Sequence, residues 1–451
     1  MQIRQERRYR RRRRVAGGAV ALVVAGVTLT ACLGGEDDEG SDEGSVAQTD
    51  QSSGDGAGDG ALMTGGGLLA GDEDTASATG DEDPAGGGSG EDTGDDTGEE
   101  DAVSPAEQAL PSDESTMERV DYITGGITPK SVVASGHGLV IANNMMYSHT
   151  MTVYDSTSRE LLETLSDSVV MEDFGIPDHP GESSGSPVEA AWTDNGKYAY
   201  VSQYTMYGQN FGVEGFDDCS PQSGVGASYL YRFNAELMDW DQVIKVGAVP
   251  KYVDITPDQT RVLVSNWCDS TISVVDRESA TEVEVIPVDA APRGIEVLPD
   301  NRTAYVAAMY ANKLFKVDLE EGTSELMMDT TRKPRHLNLS PDGKYLYMAV
   351  SGANTIYKID TETEEIVDEV VSGAEPRSMS ISPDGTALYV VNYYEPSVAK
   401  IATEDMEVLQ TEPTDANPIG ITYDPVTHQV WVACYGGSLY VFDDQAGAAG
   451  D

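Results

Sequence analysis

Pro376-Arg377-Ser378-Met379-Ser380-Ile381-Ser382-Pro383-Asp384-Gly385-Thr386-Ala387-Leu388-Tyr389-Val390-Val391-Asn392 decides the fold, because its parts recur at a fixed interval. Ala291-Pro292-Arg293, Lys333-Pro334-Arg335 and Glu375-Pro376-Arg377 are spaced by 42 residues, and the same step reaches Pro250 backwards and Pro418 forwards. Seven residues after four of these prolines comes a second one, in Thr256-Pro257-Asp258, Leu298-Pro299-Asp300, Ser340-Pro341-Asp342-Gly343 and Ser382-Pro383-Asp384-Gly385. Looser copies begin at Pro129 and Pro187, which makes seven units.

Each unit reads as β throughout. In the quoted copy, Ser378 to Ile381, Ala387 to Asn392, Ser397 to Ile401 and Glu407 to Thr411 are short runs rich in Val, Ile and Tyr. Pro, Asp, Gly and Asn separate them, which is hairpin patterning. Proline presets φ in the turn, and Gly343 or Gly385 takes the positive φ that closes it. Four strands repeated about every 42 residues predict an all-β, seven-bladed β-propeller. The last unit stops one strand short after Ser438 to Phe442, so Arg119 to Thr124 is expected to supply the missing outer strand and remove the open edges.

The Pro-Arg-x-apolar-x-apolar-Ser-Pro-Asp-Gly element, followed by Leu388 to Asn392, resembles the YVTN-type seven-bladed propellers of bacterial surface and envelope proteins. The resemblance extends over nearly all of 116–451 and implies a fold more than an activity, since one propeller scaffold serves many functions.

Charge divides the 451 residues into three materials. There are 28 Lys and Arg against 78 Asp and Glu, a net charge of −50. Residues 1–14 hold eight arginines and one acid; 33–115 hold 25 acids and no Lys or Arg; 116–451 hold 52 acids and 20 basic residues, leaving −32. Nucleic acid is a poor partner for such a surface, because phosphate contacts need cations.

The arginine-rich head, the apolar run Val15 to Thr30 and Leu29-Thr30-Ala31-Cys32 predict a signal peptide over 1–32. Its end is similar to the bacterial lipobox, which implies lipidation of Cys32, anchorage to a membrane and an extracytoplasmic location at the cell surface or in the periplasm. Residues 33–115, mostly Gly, Ser, Thr, Asp and Glu, are expected to be a disordered acidic tether, spanning roughly 50 Å as a flexible coil. The propeller is expected over 116–451, as a monomer.

The residue after each blade proline lands around one mouth of the channel. It is Lys130, Lys251, Arg293, Arg335 and Arg377 in five units, and Val188 and Ile419 in the others. The loop between the second and third strands opens on the same face and brings Tyr204, Trp267, Tyr310, Tyr393, Tyr394 and Tyr435. Such a rim suits an anionic small molecule, a glycan or an acidic envelope protein. Pairing of each cation with an acid of the next blade, and packing of the aromatics between blades, are the alternatives. The fourth position of the innermost strand is polar (Asp254, Glu296, Asn338, Ser380, Thr422), as a watered channel would require. Insertions over Asp173 to Ser186 and between Tyr204 and Tyr229 lengthen loops on this face. The second carries Cys219, and the equivalent loop of the next blade carries Cys268, so a disulfide between them is expected in an oxidising compartment.

Motifs for catalysis are sparse. The five histidines (His137, His149, His179, His336, His428) show no paired metal spacing and no haem-attachment motif, so neither metal nor cofactor is expected. Lys333-Pro334-Arg335-His336 is similar to the Pro-Arg-His element of seven-bladed lactonases, which implies His336 as general base and Arg335 as oxyanion partner. A weaker resemblance links the chain to the propeller subunits of quinone-dependent amine dehydrogenases. The leading expectation is a binding module without chemistry, and the second is a lactonase acting on sugar lactones.

Overall fold

The computed structural model describes residues 109–177, 181–204, 207–208 and 218–445. The signal segment with Cys32, and the expected tether up to residue 108, lie outside the described residues.

Seven four-stranded antiparallel sheets form the body, one per sequence unit. Blade six shows the plan from channel to rim: Pro376–Ile381, Ala387–Asn392, Ser397–Ala402 and Val408–Pro413. Its Ser-Pro-Asp-Gly turn closes as the residues dictate. The Gly385 amide donates to the Ser382 carbonyl at 2.9 Å, with Gly385 at φ 72°, while the Asp384 carboxylate accepts from the Thr386 amide at 3.1 Å. Blades three and four lack the glycine, and Gln259 and Asn301 take the left-handed conformation instead, at φ 61° and 58°.

Innermost strands are buried along their whole length, as in Pro250–Ile255 and Pro292–Val297, whereas the outermost strand Glu365–Val371 is almost wholly exposed. The core therefore lies between neighbouring blades. Ala191, Tyr200, Leu230, Ile244 and Val246 of blade two, for example, pack against Val253, Ile255, Val262, Val264 and Val275 of blade three. Each such buried side chain contributes on the order of 2 kcal/mol of transfer free energy.

Inner strands of adjacent blades belong to separate sheets, so their amides need other partners. The polar residue four places after the blade proline supplies them. The Val297 amide donates to Asp254 Oδ2 at 3.1 Å, the Tyr423 amide to Ser380 Oγ at 3.0 Å, and the Ala134 amide to Thr422 Oγ1 at 3.1 Å. These side chains clasp each blade to the next, which is a structural reason for their polarity beyond contact with water.

Closure follows the sequence expectation. Strand Glu118–Thr124 pairs antiparallel with Ser438–Asp443 and completes blade seven. Contacts with the propeller begin before residue 116, however: residues 110–115, assigned to the tether by composition, pack against the lower face, where the Pro-Asp turns lie. The Ser112 amide donates to Asp384 Oδ2 at 2.8 Å, and the Leu110 amide to Gln445 Oε1 at 2.9 Å. Beneath them Lys400 Nζ donates to Asp444 Oδ1 at 2.7 Å, to Ser115 Oγ at 2.8 Å and to the Ser115 carbonyl at 2.9 Å. The Tyr389 hydroxyl donates to the other Asp444 oxygen at 2.6 Å. Lys400 and Asp444 have no exposed side-chain surface. This latch joins blade six, the C-terminal segment and the entering N-terminal chain.

Candidate functional site

The upper end of the channel, where the blade prolines sit, is built by one repeated backbone device. The residue before the proline adopts a positive φ in six blades: Ser186, Val249, Ala291, Lys333, Glu375 and Asn417. Its carbonyl then accepts from the first loop residue after the second strand, which is Tyr204, Trp267, Met309, Ser351, Tyr393 or Tyr435 in turn. Rings at that loop position lie over the cation of their own blade, as Tyr393 over Arg377, or of the next, as Tyr204 over Lys251 and Tyr435 over Lys130.

All five cations are covered. Lys130, Lys251, Arg293, Arg335 and Arg377 are at most 2% exposed. Lys251 Nζ lies 4.3 Å from the Tyr204 ring centre and 5.3 Å from that of Trp267. Arg293 sits 5.5 Å from Trp267, Arg377 3.7 Å from Tyr393, and Lys130 5.4 Å from Tyr435. Desolvated pairs of this kind contribute on the order of 2 kcal/mol each. Pairing with an acid of the next blade, weighed for each cation, is seen for Arg335, 3.7 Å from Glu375, which also pairs with Arg377 of its own blade at 2.6 Å. Burial pulls Arg377 down to about 10, against the nearby phenols of Tyr393, Tyr394 and Tyr435, and it stays cationic at neutral pH.

Aromatics expected to form one rim fall into two tiers. Tyr204, Trp267 and Tyr393 are buried over the cations and Tyr435 is partly so, whereas Tyr310 and Tyr394 lie one residue further along and are about half exposed. Tyr310 meets Trp267 edge-on at 4.9 Å, and Tyr394 meets Tyr393 at 5.1 Å. Met145 and Met309 occupy the buried position in blades one and four, which a search for aromatics overlooks. Tyr147, 82% exposed at φ 61°, joins the outer tier; a bulky residue held in the left-handed region marks local strain. Cys219 and Cys268 form a disulfide with Cα atoms 5.2 Å apart, beside the apolar cluster of Met145, Val188, Tyr204 and Trp267. Cys434 is a buried free thiol.

Below the cations the channel wall is uneven. Two and four residues after the proline, blades two to five contribute Glu189, Ala191, Tyr252, Asp254, Gly294, Glu296, His336 and Asn338, whereas blades six, seven and one contribute Ser378, Ser380, Gly420, Thr422, Ser131 and Val133. Gly294 has no side chain where a Cβ would stand 2.8 Å from the Arg335 carbonyl, which lets the inner strands of blades four and five approach. His336 is fully buried, with its ring 5.6 Å from that of Tyr252 and neither nitrogen in a hydrogen bond among the described residues. Burial, reinforced by Arg293 and Arg335, lowers it to about 3, so it is neutral. Burial also raises Glu189, partly offset by Arg293 and Lys130. It lifts Asp254 to about 7 and Glu296 well above the carboxylate range, with the charge of Asp254 lifting Glu296 further. Asp254, Glu296 and Asn338 are the polar fourth positions expected from the sequence, and His336 was singled out there as well; Glu189 and Tyr252, two residues after the blade proline, were not. The pairs Tyr252/Asp254 and His336/Asn338 at period two on a buried strand were the available signal.

Comparison with known proteins bears on the fold. The profile of the cytochrome D1 heme domain matches residues 335–433. A chain of Kuenenia stuttgartiensis hydrazine synthase is similar in structure, with a TM-score of 0.54 and 17% sequence identity over 72% of this chain and 98% of that one. No curated protein matches the sequence. These likenesses support a seven-bladed propeller, and they do not support the narrower YVTN-type repeat family expected from the sequence.

Proposed function

We propose that the protein is an extracytoplasmic binding module, anchored through lipidated Cys32, whose upper propeller face takes an anionic glycan, small molecule or acidic envelope protein without chemistry. The observation that carries this reading is the gathering of five cations and their covering rings at one end of the channel, with Tyr147, Tyr310 and Tyr394 exposed around them. Exposed tyrosines offer flat apolar contact with a polar tip, and the buried charges beneath them bias the face toward anions. The cations are framework for this surface, so the test belongs on the exposed rings. Uronic-acid and sulfated oligosaccharides and an acidic peptide are titrated calorimetrically at 50 mM and 500 mM NaCl. Tyr310→Ala and Tyr394→Ala are expected to weaken binding roughly tenfold each. Absence of any salt-sensitive binding, or equal binding by both variants, overturns the proposal.

Two chemical readings gain less support. A lactonase needs a base that reaches substrate, whereas His336 is sealed and neutral with a pKa near 3. Hydrolysis of phosphorylated and plain sugar lactones by the wild type, lost in His336→Ala, would reinstate it. The matched profile's name raises haem as a ligand of this chain. The residues do not fit the group: His336 is the sole histidine of the matched segment in the channel, its ring nitrogens have no accessible surface, and Tyr252 packs against it. His428, the other histidine there, sits at a lower-face turn with Nδ1 3.2 Å from the Tyr423 hydroxyl.

A further inference from the structure

Asp254 and Glu296 occupy the same register on the inner strands of blades three and four, and they are joined through backbone. Asp254 Oδ2 accepts from the amide of Val297, the residue next to Glu296, at 3.1 Å, and Asp254 Oδ1 accepts from the Ile255 amide at 2.8 Å. Glu296 meets the Asn338 side-chain amide of blade five at 3.5 Å. The clasp between blades does not require a carboxylate, since Ser380 and Thr422 make it in blades six and seven. Two acids therefore stand side by side where hydroxyls would serve the fold.

Their surroundings lack a matching cation. Arg293 and Lys130 offset Glu189, but no Lys or Arg of the described residues pairs with Asp254 or Glu296. Polar atoms without a hydrogen bond converge on the same space: the Tyr252 hydroxyl, which feels the charges of both acids, and Asn338 Oδ1, each at most 1% exposed. Buried carboxylates and orphaned oxygens call for a cation or ordered water. Asp254 and Glu296 are also the channel groups within reach of solvent, at 6% and 8% exposure, while Glu189, Tyr252 and His336 above them are at zero. Access is thus from the lower end, and the small residues of blades six, seven and one face the pair across the channel.

The geometry points to a site for a hydrated divalent cation in the channel, held by the Asp254 and Glu296 carboxylates, with Asn338 Oδ1 and the Tyr252 hydroxyl taking up its waters. Among the described residues no group of three His, Cys, Asp or Glu side chains is placed to hold a metal ion, so water would have to fill most of the coordination around the two carboxylates. Magnesium uses one or two carboxylates and keeps several waters, and calcium in extracellular modules binds at roughly 10⁻⁴ to 10⁻³ M. Because the proposed glycan face is at the opposite end, the two readings stand or fall separately.

The test is calorimetric titration of the full chain with Mg²⁺, Ca²⁺ and Mn²⁺ at pH 7.5 in 1 M NaCl, which screens the acidic exterior. One site per chain is expected, weakened at least tenfold in Asp254→Asn/Glu296→Gln. The wild-type melting temperature rises with the metal, and that of the double variant does not. Replacing two buried carboxyl groups by amides of the same shape is expected to leave the apo variant at least as stable as the wild type, and Glu296→Gln alone repeats the measurement if the pair of changes prevents folding. Absence of binding by all three ions at 10 mM, or one-site binding unchanged in the variants, overturns the site.

Discussion

Lys400→Met should destabilise the propeller strongly, and the latch shows by how much. Lys400 Nζ makes three hydrogen bonds, and its partner Asp444 is equally buried. Removing the ammonium leaves a carboxylate without its cation, with only the Tyr389 and Ser115 hydroxyls as donors. Breaking one partner of a buried pair costs about 3–5 kcal/mol, because the survivor stays desolvated. For a folded body of about 330 residues, the unfolding entropy of about 0.7 kcal/mol/K turns that into a fall of about 4–7 °C in melting temperature. Lys400→Met/Asp444→Leu removes both charges and leaves unsatisfied hydroxyls, at a cost of about 1–3 kcal/mol, less than the single change. Urea unfolding of wild type, both single variants and the double variant forms a complete cycle. Salt supplies a further check: a pair without exposed surface keeps its coupling from 0.1 to 1 M NaCl. A single-variant loss below about 1 kcal/mol, additive costs in the cycle, or coupling that vanishes in salt would refute the reasoning.

Further expectations concern the channel and its rim. His336 is neutral when folded, with a pKa near 3, and titrates near 6.5 when unfolded. The unfolded state then takes up the proton below pH 6.5, so stability falls as pH drops; His336→Gln should remove about 2 kcal/mol of that loss between pH 7 and 5, measured by denaturant midpoints. Equal acid sensitivity in variant and wild type would place the titration elsewhere. Gly294→Ala drives a Cβ to 2.8 Å from the Arg335 carbonyl and should cost about 1–3 kcal/mol, seen as a lower midpoint at unchanged slope. Cys219→Ser opens a loop with a sequence separation of 49, worth about 4 kcal/mol in chain entropy, and should lower the melting temperature under non-reducing conditions. Deletion of 116–124 removes the strand that completes blade seven and should lower it further still, whereas an unchanged melting curve would contradict closure.

Repeat spacing made the propeller legible because a 42-residue period with two prolines seven apart constrains every blade alike. Turn chemistry was equally readable, since Gly343 and Gly385 stand where a positive φ is needed. Closure could be argued from a missing strand. The site was only half legible. Position in the repeat placed the five cations at one end, but depth depends on what covers them, and the covering ring is set by a bond between two loops of a blade, as from the Tyr393 amide to the Glu375 carbonyl. A shift of one residue separates buried Tyr393 from exposed Tyr394, and no local pattern encodes that. Asp254 and Glu296 were legible as one register of consecutive units; what was not legible is that no Lys or Arg of the described residues pairs with them, because that depends on where side chains of neighbouring blades fall.

The latch also has a mechanical meaning. Residues 110–115 enter across the lower face and are fastened to Asp384, Gln445, Lys400 and Asp444 before the chain reaches its closing strand. A pull on whatever precedes residue 110 therefore loads this buckle first, and the strand Glu118–Thr124 bears tension only after the buckle opens.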